Sequence, residues 1–288
     1  MSARSRARFT EVVRRTPIDL ALACQLIAAE ADPDAEAADV QGTLDRLADE
    51  ARPVLAAKLS RARAAGGAAG DTMATPEPFD AAEALHESLG LRGGYSGLAG
   101  DYDDLRSSLL PSVLRRRHGL PIILSVIWLE VAARLAVPAY PVGLPGHVIV
   151  AIGTPRDNVL VDPFAGGRRI TVHDAAARVR AAGASFSRAQ LAPLEREDLL
   201  ARVLGNIRVL AARADATATR LWAVELSLLL PHHPASLRRE RGELRVRRGD
   251  YLGGARDLAT FADAVEAAEP TAAAAARAAA LAARARLN

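Results

Sequence analysis

His147 and Asp162, fifteen residues apart, are the pair in this sequence best placed to do chemistry. An imidazole that exchanges a proton and a carboxylate that orients it make up two parts of a nucleophilic acyl-transfer site. The third part is a thiolate, favoured at a helix N-terminus because the helix dipole lowers the thiol pKa there. The helix that could supply it opens at Gly119-Leu120-Pro121, and Pro121 stands where the thiol should be. Proline's amide nitrogen cannot attack an acyl group. Ser125, four residues on, lies on the same helix face about 6 Å along the axis. It is the local hydroxyl, although a serine inside a helix commonly bonds back to the carbonyl of the previous turn. A water activated by His147 is the other nucleophile open to such a site.

Other reactive groups fit structural roles. Cys24, the one cysteine, falls in the apolar helical pattern DLALACQLIAAE and reads as a small core residue. It cannot close an intramolecular disulfide, which suits a reducing cytosol. His232-His233 sit in a Pro-flanked turn and His147 and His173 are a hairpin apart, with no HExxH or Cys spacing, so no metal site is expected. The glycine run GLRGGYSGLAGDYDDL lacks the Gly-Lys-Ser/Thr ending and preceding strand of a phosphate cradle, and no cofactor is expected.

The elements that must position His147 and Asp162 are legible from local physics. Proline suits the first turn of a helix, so a helix starts at Pro121. It then runs through Ile122, Ile123, Leu124, Val126, Ile127, Trp128, Leu129, Val131 and Leu135, apolar on most sides as a buried helix is. Glu130 and Arg134 interrupt it and argue against a membrane span. Short β-branched runs follow at Ala139–Gly143, His147–Ile152, Asn158–Asp162 and Arg169–Val172, the pattern of a small antiparallel sheet. His147 opens one strand and Asp162 closes the next, so adjacent antiparallel strands bring them together.

The run GLPIILSVIWLEVAARLAVPAYPVGLPGHVIVAI and the later VLVDPFAGG, with the entry RRRHGLPI, resemble the transglutaminase-like family often called the SirB type. That bacterial family joins a transglutaminase-like core to tetratricopeptide-like helices, and the resemblance covers roughly Phe9 to Pro270. In catalytic members a Gly-x-Cys opens the helix. Pro121 falls on the cysteine position, and His147 and Asp162 fall on the histidine and aspartate positions. The resemblance thus implies an acyl-transfer fold whose nucleophile is gone. It also implies an extended loop close to the site, so that Tyr95, Tyr102 and Asp103 line a pocket.

At 288 residues and half hydrophobic, the chain can bury a substantial core. Its basic start, MSARSRARFTEVVRR, leads into an amphipathic segment and not an apolar one, so no secretory signal is expected and the protein is expected in the cytoplasm. The expected fold is α+β: a papain/transglutaminase-like core, with a buried central helix on a small antiparallel sheet. N-terminal helices occupy 1–63, a Gly- and Pro-containing linker 64–78, the core 79–195, and a tetratricopeptide-like helical region with an Ala/Arg-rich tail 196–288. In that last region Gly242, Gly249-Asp250-Tyr251 and the small residues Gly253-Gly254-Ala255 mimic a repeat, yet only about one and a half repeats can be counted. Arginines 115–117 and 238–248 are punctuated by Glu240 and Glu243 and read as solvated helix faces, so nucleic acid is not the expected partner. Two functions fit. One is a non-catalytic module that binds a protein or peptide through the C-terminal helices. The other is a hydrolase or acyl-transfer enzyme built on His147, Asp162 and either Ser125 or water.

Overall fold

A computed structural model describes residues 3–66 and 77–287. The chain divides into two compact units: Pro17–Val203, and Met1–Thr16 together with Leu204–Asn288. Most of the expected linker, residues 67–76, lies outside the described residues.

The first unit is the α+β core. Helices α2 (Leu20–Ala31), α3 (Val40–Gly66), α4 (Pro78–Leu85) and α5 (Leu110–Arg116) lead to the central helix α6 (Pro121–Arg134). Leu120 ahead of α6 is extended (φ −65°, ψ 151°) and Pro121 enters the first turn, as its fixed φ favours. Every residue from Pro121 to Leu129 is buried, so α6 is covered on all sides. Strands β1 (Ala139–Leu144), β2 (His147–Thr154), β3 (Asp157–Asp162) and β4 (Arg168–Arg169) form an antiparallel meander in chain order. The register sets Leu144 opposite His147 and Val150 opposite Val161.

Alternation along the strands puts Val142, Leu144, Ile149, Ala151 and Leu160 on one face, where they pack with Ala175 and Val179 of α7 (Val172–Ala181). His147 and Asp162 continue that face at the strand ends. The fourth strand is shorter than its β-branched sequence predicts, and α7 replaces its second half. The cause is a capping box: Thr171 Oγ1 accepts from Asp174 N (3.1 Å) and Asp174 Oδ2 accepts from Thr171 N (2.8 Å), which starts a helix at Val172. The helix expected over Phe79–Leu91 also divides, with α4 running into a π-helical stretch, His86–Arg92.

The second unit is helical: α1 (Ala3–Val13), the later part of α8 (Arg196–Arg213), α9 (Thr217–Ser227), α10 (Ser236–Arg247), α11 (Tyr251–Val265) and α12 (Pro270–Ala285). Successive helices from α9 to α12 pack as neighbours. Between α10 and α11 the backbones touch: a Cβ on Gly242 would lie 3.0 Å from the Gly254 carbonyl, and one on Gly254 2.8 Å from that of Gly242. Helix α1 joins this unit through an Arg6–Glu225 ion pair of 2.6 Å.

Gly167 fixes the turn after Asp162 against α6. Its φ is +80°, and a Cβ there would lie 2.8 Å from Trp128 Nε1 in the middle of the buried helix. Gly167→Ala is expected to destabilise the fold by about 1–3 kcal/mol through backbone strain and overlap. Gly100→Ala, with an ordinary φ and open space around it, serves as the neutral control. Thermal melts of the two variants check the difference.

Candidate functional site

Asp162 is 1% exposed and its carboxylate organises the site. Oδ1 accepts from His147 Nε2 (3.0 Å) and from the backbone N–H of Phe164 (3.0 Å), and Oδ2 accepts from Arg178 of α7 (2.6 Å). A carboxylate accepts only, so Nε2 of His147 carries the hydrogen and Nδ1 is left with its lone pair in the neutral ring. Burial pushes the Asp162 carboxyl up. The bond and charge of His147 and those of Arg178 outweigh burial and hold it below the usual carboxylate range. The His147 and Phe164 rings make a T-shaped contact at 84° with centres 6.0 Å apart, and Tyr102 also meets the Phe164 ring, at 5.7 Å.

The start of α6 carries Pro121 and, one turn on, Ser125. Pro121 is buried, and Ser125, 0% exposed, donates its hydroxyl to the Pro121 carbonyl at 2.8 Å. The carbonyl of Val148 lies at 3.5 Å from the same oxygen. The hydroxyl proton is thereby committed to its own helix, and His147 is not among its partners. Burial, then the charges of Glu130 and Asp19, push the Cys24 thiol up, so it stays protonated within its helix.

The three loop residues expected near the site part company. Tyr102 is 43% exposed and reaches the pair through Phe164; burial, then the nearby carboxylates of Asp162 and Asp101, raise its phenol pKa. Tyr95 is 3% exposed and donates to the Leu114 carbonyl (3.0 Å), which makes it a core residue. Asp103 points to solvent. The loop is tied down beside Phe164, whose carbonyl accepts from Gly97 N (2.8 Å) and whose ring fills the space a side chain at Gly97 would take.

Sequence reasoning did not find Arg178, Phe164 or Asp101. Phe164 stands in the quoted VDPFAGG run, and Arg178 falls four residues after the capping Asp174, a signal a closer reading of TVHD would have yielded. Among the described residues no group of three His, Cys, Asp or Glu could hold a metal ion, and no helix is long and apolar enough to cross a membrane.

A buried helix on a small antiparallel sheet, with a histidine and an aspartate on adjacent strands, is the core of an acyl-transfer fold. A transglutaminase-like superfamily model matches residues 38–205, and the chain belongs to that superfamily. A tetratricopeptide repeat model matches residues 207–288. The chain is similar to a UPF0162 protein of Xylella fastidiosa strain Temecula1, with 34% identity over 185 residues, 62% of this chain and 66% of that protein. It therefore spans just under two thirds of the length of that relative. It is also similar to a UPF0162 protein of Pseudomonas aeruginosa (33% over 111 residues, 38% of this chain and 40% of that one). A third relative is mouse F-box only protein 21 (29% over 159 residues, 52% of this chain and 24% of that one). No solved structure matches the chain.

The buried carboxylate gives the site a definite pH signature. A carboxyl held below its ordinary pKa stabilises the fold at pH above the unfolded value, about 3.9, and the contribution disappears as pH falls through the folded value. Asp162→Asn is expected to cost about 2–4 kcal/mol at pH 7 and to flatten the loss of stability below about pH 4. Urea unfolding between pH 2 and pH 7 checks both parts.

Proposed function

We propose that the protein is a non-catalytic member of its superfamily, acting as a binding or regulatory module through protein–protein contact. The observation that carries the reading is at the helix start: Ser125 is buried and its hydroxyl is bonded back to the Pro121 carbonyl, and on this reading Pro121 takes the nucleophile position. Loss of the nucleophile alone lowers such catalysis by orders of magnitude. The His147–Asp162 pair then serves the fold, tying β2, β3 and α7 together through one carboxylate.

On this reading the transglutaminase-like core is residues 79–195, within the larger unit Pro17–Val203, and the partner-binding helices are residues 196–288. The repeat match over 207–288 supports protein contact, because tetratricopeptide-type helix pairs stack into surfaces suited to it. The arginines of α10 support a protein partner over nucleic acid. Arg241 and Arg245 are held by Asp257 (2.8 and 3.0 Å), and Arg245 also pairs with Glu225 (3.2 Å), so these cations are neutralised within the unit. A single buried cysteine fits a cytoplasmic protein.

The test is to incubate the full chain with activated acyl thioesters and esters and follow adducts by intact mass, alongside His147→Ala. The expected result is no acyl-protein and no turnover above that of the variant, with the variant less stable by about 1–3 kcal/mol. A stoichiometric acyl adduct on Ser125, or hydrolysis lost in His147→Ala with its stability unchanged, would instead establish an enzyme with a serine or water nucleophile.

A further inference from the structure

A second acid–histidine pair stands outside the site just described. Asp101, 2% exposed, accepts at Oδ1 from Ser107 Oγ (2.7 Å) and from His118 Nδ1 (2.8 Å), and at Oδ2 from the backbone N–H of Leu98 (2.7 Å). Bonds on both oxygens stop the carboxylate rotating. Nδ1 of His118 must therefore carry the hydrogen, which leaves the lone pair of the neutral ring on Nε2. The His118 side chain is 28% exposed, and Nε2 has no hydrogen-bond partner among the described residues.

Arginine and aspartate side chains both surround His118. Arg116 NH2 lies 3.4 Å from His118 Nδ1, 3.0 Å from Asp104 and 3.8 Å from Asp101, while the other terminal nitrogen of that guanidinium, NH1, is buried without a partner. Arg115 and Arg117 are exposed on either side. Arg117 adopts a left-handed backbone (φ 63°), a conformation unusual for a residue with a side chain. A neutral imidazole with one nitrogen fixed on a buried carboxylate, the other without a partner among the described residues, and an arginine beside it whose NH1 is also unpartnered, is arranged to attack an electrophile that brings negative charge with it.

We propose that His118 is a phosphoryl-accepting histidine. Nε2 attacks phosphorus and a new N–P bond forms. The bond from phosphorus to the leaving group breaks, and its electron pair departs with that group. The Nδ1 hydrogen stays on the ring, donated to Asp101, and Arg116 meets the charge of the incoming group. The donor is a reactive phosphoryl compound, either an N-phosphoryl donor such as a partner's phosphohistidine or an acyl phosphate. The inference stands apart from the binding role and uses none of its residues.

The experiment treats the full chain in parallel with phosphoramidate and with acetyl phosphate and maps the label by mass spectrometry at neutral to alkaline pH, where phosphohistidine survives. His173 is exposed and lacks such a carboxylate partner, which makes it an internal control. His118 is expected to be labelled at least about tenfold faster than His173, and Asp101→Asn to remove most of that advantage. Labelling in the phosphoramidate arm alone indicates an N-phosphoryl donor, and labelling in both admits an acyl phosphate. Equal rates at His118 and His173 in the unmodified protein, or no label at His118 in either arm, overturn the proposal without depending on whether the variant folds.

Discussion

One buried negative charge holds the core together. An unpaired carboxylate 1% exposed would cost several kcal/mol, and Asp162 avoids the cost by accepting from His147, Phe164 and Arg178. Those donors come from β2, from the turn after β3 and from α7, so a single group ties three elements. The turn in turn rests on α6 through Gly167 and Trp128, and on the π-helical stretch through His86 Nδ1, 2.7 Å from the Gly166 carbonyl. On the proposed reading, this structural work is what keeps the histidine–aspartate pair in place without a nucleophile beside it.

Sequence pattern reached the elements whose signals are local. Pro121 and the nearly continuous apolar run located α6, and short β-branched runs broken by turn residues located β1, β2 and β3. It failed where two signals competed. Ile170-Thr171-Val172 looks like a strand because its residues are β-branched, but the Thr171–Asp174 capping box outweighs propensity and starts α7. Missing α7 meant missing Arg178, which makes the shortest hydrogen bond to Asp162, 2.6 Å. Tyr95 and Tyr102 could not be told apart by sequence either, since the difference is which carbonyl or ring the backbone turns each one toward.

The arginine content had a similarly mixed legibility. A run of arginines looks the same in sequence whether it faces solvent or carboxylates, and ion pairs with Glu225, Glu240 and Asp257 decide the matter for Arg220 of α9 and for Arg241 and Arg245 of α10. The tetratricopeptide likeness rested on glycine spacing, and Gly242 and Gly254 do mark the place where two helix backbones meet. The contribution of α1 to the same unit had no sequence signal, because nothing local ties residues 3–13 to helices two hundred positions later.

The central claim, that His147 and Asp162 are kept as a brace, is tested most directly by a double-mutant cycle in folding stability with His147→Ala, Asp162→Asn and the double variant. A brace predicts a coupling energy of about 1–3 kcal/mol at pH 7, because each partner depends on the other. A coupling near zero, with His147→Ala as stable as the unmodified protein, would contradict the account and return the pair to a chemical role.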